Sequence, residues 1–241
     1  MLQNMGAEAI GTSSAAHAFT LGRPDMGHVS RDEALAHAAD LIAAVSVPVS
    51  GDFENGFGHD PDTCAETVRM AAEIGLSGIS IEDTSLPGTL PYSRELAIER
   101  IRAASAAARA LPNDFVLVAR ADGVVNEQYD LREALARLHG YEQAGADCLY
   151  IPLPGTIEDQ RKICASTSLP VNALAAGPFT KHTLDEFAKI GVARISLGSA
   201  IARMTHKAIH DASVCMFQTG KFSSLGNGVS GAKIDALLTG E

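Results

Sequence analysis

The residues best suited to chemistry are Asp52 and Glu54, two carboxylates one residue apart in Val49-Ser50-Gly51-Asp52-Phe53-Glu54-Asn55-Gly56-Phe57-Gly58. In a strand, residues i and i+2 share a face, so both acids point one way if the strand persists that far. Gly56 and Gly58 then let the backbone bend sharply. Two hard oxygen acids converging at a strand end suit a divalent cation. The stretch also fits a solvated acidic loop between a strand and a helix, and taken alone it does not separate the two readings.

Other chemically capable groups recur after apolar runs. Thr12-Ser13-Ser14-Ala15 follows the first, Glu82-Asp83 follows Gly78–Ile81, Arg120-Ala121-Asp122 follows Phe115–Ala119, and Asn172 lies within Pro170–Ala175. One such charge reads as a loop residue. Acids and an arginine on consecutive strand ends point to a site.

Repeated junctions show which elements position these groups. Gly6, Gly75, Gly145 and Gly191 each follow a helical stretch and precede a short link and an apolar run, the pattern of a left-handed helix C-terminus. Val47-Pro48-Val49 and Leu169-Pro170-Val171 mark a second kind of helix-to-strand turn. Helices are predicted from the Ser30/Glu33 capping box to about Ala44, from Asp60-Pro61, and around Leu131–Leu138. Strands are predicted over Glu8–Thr12, Pro48–Asp52, Gly78–Glu82, Phe115–Ala121, Asp147–Pro152, Pro170–Ala175 and Ala193–Gly198. Alternating β and α units imply a parallel sheet.

The expected fold class is α/β, a (β/α)8 TIM-type barrel whose first strand is absent from this chain. Met1–Met5 reads as the end of a helix. Residues 1–241 form a single barrel domain, with 218–241 as a Gly/Ser-rich tail that is helical from about Ala232. In such barrels the site forms at the C-terminal strand ends.

The 241 residues carry a formal charge of −10, which argues against a nucleic-acid partner. No apolar run is long enough for a membrane span and no signal peptide is evident. Four cysteines without a C-x-x-C pair fit free thiols. A cytoplasmic protein with no membrane partner is expected. Among the histidines, His17 reads as a supporting or core residue. His206 and His210 share a helix face but lack a third ligand.

These motifs together resemble the isocitrate lyase/phosphoenolpyruvate mutase superfamily over nearly the whole chain. The resemblance rests on Gly11–Ala15, Leu21-Gly22-Arg23-Pro24-Asp25, the Asp52-x-Glu54-x-Gly56-Phe57-Gly58 stretch, Ile81-Glu82-Asp83, Ala119–Asp122, Pro170–Asn172 and Gly191–Gly198. It implies that Asp52 ligates Mg²⁺ (or Mn²⁺) directly, and that Glu54, Glu82 and Asp25 hold its waters. It also implies that Ser13, with the N–H groups of Ser14 and Ala15, holds a carboxylate or oxyanion. Arg120 would pair bidentately with a carboxylate, and Asn172 would reach the substrate. Ser13, Glu82 and Arg120 are the implied catalytic residues. The substrate class is a small α-keto or α-hydroxy acid that forms an enolate at the metal. Dimers or tetramers that exchange a C-terminal helix are implied as well.

One departure bears on the reaction. Lyases of the isocitrate and methylisocitrate type carry a K-K-C-G gate, whereas Thr84–Ser93 has neither Lys nor Cys. Loss of CO₂ from a β-keto acid needs no base, so oxaloacetate-decarboxylase-like lyase chemistry is the first expectation. The alternatives are a carbon–carbon lyase on a substituted malate or methylisocitrate-like acid, a phosphonate-processing mutase or hydrolase, and a non-catalytic homologue.

Overall fold

Chain order in the computed structural model, which describes residues 1–240, is β1 (Ile10–Gly11), α1 (Ser14–Thr20), α2 (Arg31–Ala44), β2 (Val49–Asp52), α3 (Pro61–Glu73), β3 (Gly78–Glu82), β4 (Thr84–Ser85), β5 (Leu90–Pro91), α4 (Arg94–Arg109), β6 (Val116–Arg120), α5 (Leu131–Gln143), β7 (Cys148–Tyr150), α6 (Ile157–Ala165), β8 (Val171–Leu174), α7 (Leu184–Lys189), β9 (Arg194–Ser196), α8 (Ala200–Thr219) and α9 (Gly231–Thr239). Seven strands form one sheet in the order β1-β2-β3-β6-β7-β8-β9. Every neighbouring pair is parallel. The result is a near-closed barrel with seven of the eight strands of a (β/α)8 fold among the described residues.

The sequence pattern explains the elements. Ser30 and Glu33 form the expected capping box at the start of α2. Pro61 opens α3, although Asp60 makes no side-chain cap there. Gly6, Gly75, Gly145 and Gly191 all adopt φ between 92° and 101°, the left-handed region that glycine enters freely. Among the predicted strands, both edge strands are shortened, β1 keeping two residues of Glu8–Thr12 and β9 three of Ala193–Gly198, as is the interior β7. An edge strand has one hydrogen-bonding neighbour, so its ladder ends sooner. Gly78 is required by sheet packing, since a Cβ there would sit 2.3 Å from the Val116 carbonyl oxygen.

Alternation in β3 sends Ile79 and Ile81 outward under the helices, where they pack with Leu117, Leu138 and Leu149, all essentially fully buried. Burial of each such side chain contributes about 1.5–3 kcal/mol. The opposite face points into the lumen. There the register places Glu82 beside Arg120, Arg120 beside Tyr150, Tyr150 beside Asn172 and Asn172 beside Arg194. The tail folds back on its own chain, with Asn4 Nδ2 donating to the Leu237 carbonyl at 3.0 Å. Among the described residues no helix is long and apolar enough to cross a membrane.

Candidate active site

Arg120, the last residue of β6, is the centre of the site. Its Nη1 donates to Asp52 Oδ1 at 2.8 Å, and its Nη2 lies 3.2 Å from Glu82 Oε2. Its Nε and Nη2 grip both oxygens of Asp122 at 3.1 and 2.6 Å. The ends of β2 and β3 thus converge on the guanidinium at the end of β6. The bidentate edge faces Asp122 of the same chain, a residue the motif reading did not assign. Its signal was the i+2 spacing from Arg120, the same spacing that singled out Asp52 and Glu54.

Asp83 explains why Asp122 sits there. It accepts the Asp122 N–H at 2.9 Å, the Tyr129 hydroxyl at 2.6 Å, the Tyr141 hydroxyl at 3.2 Å and Arg137 Nη1 at 2.9 Å. The carboxylate and the guanidinium are both buried. A buried pair of this kind holds only when the remaining lone pairs are satisfied, and here they are.

Asp52 and Glu54 line one cleft, but not by strand alternation. β2 ends at Asp52, and Glu54 takes φ +45°, followed by Gly56 at +76° and Phe57 at +63°. A left-handed Glu or Phe costs on the order of 1–3 kcal/mol. Phe53 is fully buried beneath the turn. Arg100 secures it from behind, donating to the carbonyls of Asn55, Gly58 and His59. Glu54 Oε1 accepts the Gly27 N–H at 3.0 Å. Gly27 in turn lies under the gate, where a Cβ would meet Leu86 and Pro87 at 3.1 Å. The gate is a small hairpin of β4 and β5, tied down by Asn126 and Gln128.

The serine turn is arranged differently from the expectation. Ser14 directs both its N–H and its hydroxyl to Asp52 Oδ2 at 3.1 Å. Ser13 Oγ caps α1 through the Ala16 N–H, and Ala15 is buried. The Ser14 N–H therefore serves Asp52, because the short link after β1 swings α1 against the end of β2. Asn172 is also not at a strand end. It lies within β8, buried, and donates to Ser196 Oγ at 2.9 Å, while its Oδ1 is buried without a partner. In register it still lies on the Arg120 row. Arg194, at the end of that row, donates to Ser50 Oγ at 3.3 Å and has no carboxylate partner among the described residues.

Burial dominates the electrostatics. It raises Glu54 to about 7, opposed by the Gly27 hydrogen bond and reinforced by Asp52 and Asp25. It raises Glu82 well above the carboxylate range, with Asp122 adding to the shift. Burial also works against charge on Arg120, but Asp122, Glu82 and Asp52 outweigh it and keep the guanidinium protonated. Three acids therefore share one cation, with Glu54 close by but unpaired to it. Asp25 Oδ1 is buried with no hydrogen-bond partner, beside the already crowded Glu54.

This donor set fits a hard divalent cation: it is all oxygen, it is over-supplied with negative charge, and it includes an orphaned carboxylate oxygen. It is not a ready-made cage. Among the described residues no three acid, His or Cys groups converge tightly enough to hold an ion as they stand. Arg120 lies between Asp52, Glu82 and Asp122 and spreads them apart. The two histidines His206 and His210 lie exposed on α8, bonded to Ala202 and Asp211, and build no site.

A parallel barrel with acids and an arginine at adjacent strand ends defines an enzyme scaffold of the TIM-barrel kind. The family model described as phosphoenolpyruvate phosphomutase matches residues 1–217, and the chain belongs to that family, within the isocitrate lyase/phosphoenolpyruvate mutase superfamily. The 2,3-dimethylmalate lyase of Eubacterium barkeri is 34% identical over 157 residues, covering 62% of this chain and 52% of that enzyme. The 2-methylisocitrate lyase of Escherichia coli K12 is 30% identical over 222 residues, covering 87% of this chain and 73% of that enzyme. A solved protein from Burkholderia cenocepacia J2315 is 42% identical with a TM-score of 0.92, covering 97% of this chain and 84% of that one. Homologues of this chain are thus named lyases.

Proposed function

We propose that the chain is a divalent-cation-dependent carbon–carbon lyase for a small α-keto or α-hydroxy dicarboxylic acid. The observation that carries this reading is the gathering of Asp52, Glu54, Glu82 and Asp122 in excess around Arg120. It supports Asp52 as the direct holder of Mg²⁺ or Mn²⁺, with Glu54, Glu82 and Asp25 around it. When bound, the cation would polarise the substrate's C2 oxygen and take up charge as the carbon–carbon bond breaks. Ser13 borders the same cleft and orients a carboxylate, while Ser14 holds Asp52 in place through its N–H and hydroxyl. Arg120, pinned by Asp122, offers its remaining N–H groups to the substrate.

Decarboxylation of a β-keto acid is the reaction best supported, since the gate over Thr84–Ser93 supplies neither Lys nor Cys. Departure of CO₂ leaves its electron pair on the substrate and needs no base. Glu54 favours a second reading, cleavage of a substituted malate. A carboxyl with a pKa of about 7 is matched to accepting the C2 hydroxyl proton near neutral pH. The named lyase relatives support that reading too. Exposed apolar side chains along α8, such as Met204 and Phe217, support a homo-oligomer, and the four free thiols support a cytoplasmic setting.

The test is a screen of oxaloacetate and substituted malates with and without Mg²⁺, reading pyruvate and CO₂. Metal-dependent release of pyruvate is expected. Turnover that survives chelation, or that is unchanged in Asp52→Ala, overturns the reading.

A further inference from the structure

A stacked pair of histidines forms one wall of the candidate site, and neither reaction reading uses it. His17 of α1 and His37 of α2 lie face to face, with ring centroids 4.1 Å apart and planes 11° from parallel. Both ring nitrogens of His17 are buried and have no hydrogen-bond partner. Buried polar atoms are rarely left so. The pair borders a cleft that also takes in Val29, Ala34, Phe57, Ser14, Asp52 and Glu54. The cleft spans about 280 Å³ with its mouth, and its enclosed part has room for one water-sized group.

We propose that this cleft is a substituent pocket that admits one small neutral branch on C3 of the substrate and rejects a charged one. The inference rests on the proposed lyase reading, which places the reacting carbons against Asp52 and Ser13. Val29, Ala34 and Phe57 supply apolar contact for a methyl-sized group. His17 supplies the hydrogen-bonding side, which water satisfies when no branch is present. Burial holds both imidazoles in the neutral form by lowering their pKa values, so the wall offers no countercharge. Among the described residues no Lys or Arg lines the cleft, so a carboxylate entering it finds no countercharge. A carboxymethyl branch is excluded by size and by charge together.

The experiment measures binding of 2-methylmalate, 2,3-dimethylmalate and 2-methylisocitrate by calorimetry, in Mg²⁺, to the full chain and two variants. The first two acids differ by a single C3 methyl, and one such group in a fitted pocket changes affinity about tenfold or more. The native chain is expected to prefer 2,3-dimethylmalate by that factor and to bind 2-methylisocitrate at least a hundredfold more weakly. Ala34→Val fills the enclosed space and reverses the methyl preference. His17→Leu removes the unpartnered nitrogens and raises it. A fold defect cannot move one ratio in two directions, and the ratio does not depend on the active fraction. The pocket alone is overturned if 2-methylmalate binds while the ratio stays constant across the three proteins, or if 2-methylisocitrate binds as tightly as 2,3-dimethylmalate. Failure of the native chain to bind any of the acids overturns the pocket together with the substituted-malate reading, while the lyase reading itself stands or falls on the oxaloacetate turnover test.

Discussion

The two sides of the barrel are built to different standards. On the side of β2, β3 and β6, helix α4 buries seven of its sixteen residues, including Arg100. On the side of β8 and β9, helix α8 buries none of its twenty, and Ile201, Met204, Ile209 and Phe217 stand exposed. All the buried acids of the site lie on the first side. Held in low dielectric, a carboxylate needs every partner in place. Only a wall whose backbone is fixed from behind can provide that. The second side carries Arg194 and Asn172, groups whose hydrogen-bonding capacity is only partly used.

Asp83→Ala tests that contrast most severely. It leaves the Arg137 guanidinium, whose side chain is 6% exposed, with Glu133 as its one remaining carboxylate, unpairs the Tyr129 and Tyr141 hydroxyls and removes the anchor of the Asp122 N–H. A loss of about 3–5 kcal/mol is expected in urea unfolding. A loss below about 1 kcal/mol means the acid wall does not depend on that buried network.

Asp52→Ala is expected to abolish Mg²⁺-dependent turnover, with at least a hundredfold fall in kcat/KM, while leaving the fold in place. Removal of the carboxylate also frees the Ser14 N–H and hydroxyl. Calorimetric Mg²⁺ binding equal to that of the native chain would move the cation site away from β2.

The histidine pair gives a pH signature. Burial lowers the pKa of His17 and of His37 in the fold. Below pH 6.5 the unfolded chain takes up protons that the folded pair refuses, so this contribution to stability falls as the pH drops toward the folded values. Glu54 acts in the opposite sense. Its raised pKa makes the folded chain bind more protons between about pH 4.5 and 7, so its contribution falls as the pH rises. Thermal midpoints of the native chain and of His17→Leu/His37→Leu, compared from pH 5 to 7.5, separate the two. The native-minus-variant difference is expected to grow more favourable with rising pH, and a flat difference refutes the sign.

The smallest effect is expected on the open side. Met204→Lys on exposed α8 changes the stability of the isolated chain by less than about 0.5 kcal/mol. Leu138→Ala in the core costs about 2–5 kcal/mol. Comparable losses would mean that α8 is packed in solution by a partner subunit.

Much of this molecule could be read before folding was considered. Gly75 and Gly145 after helices, Pro48 and Pro170 before strands, and the Ser30/Glu33 box all act through local backbone preferences. They are legible because their partners lie within a few residues. The strand-end positions of Asp52, Glu82 and Arg120 followed from that same periodicity.

What the sequence could not decide depends on partners far along the chain. Arg120 pairs with Asp52 across 68 positions, and Asp83 meets Arg137 across 54 and Tyr141 across 58. The left-handed turn at Glu54 is affordable only because Arg100 closes it from another helix. His17 finds His37 only when α1 packs on α2. Sequence alone determined the barrel and the kind of groups at its rim, because periodicity and turn chemistry are local. Tertiary structure decided which acids share the arginine, because burial and charge depend on what the fold brings within a few ångströms.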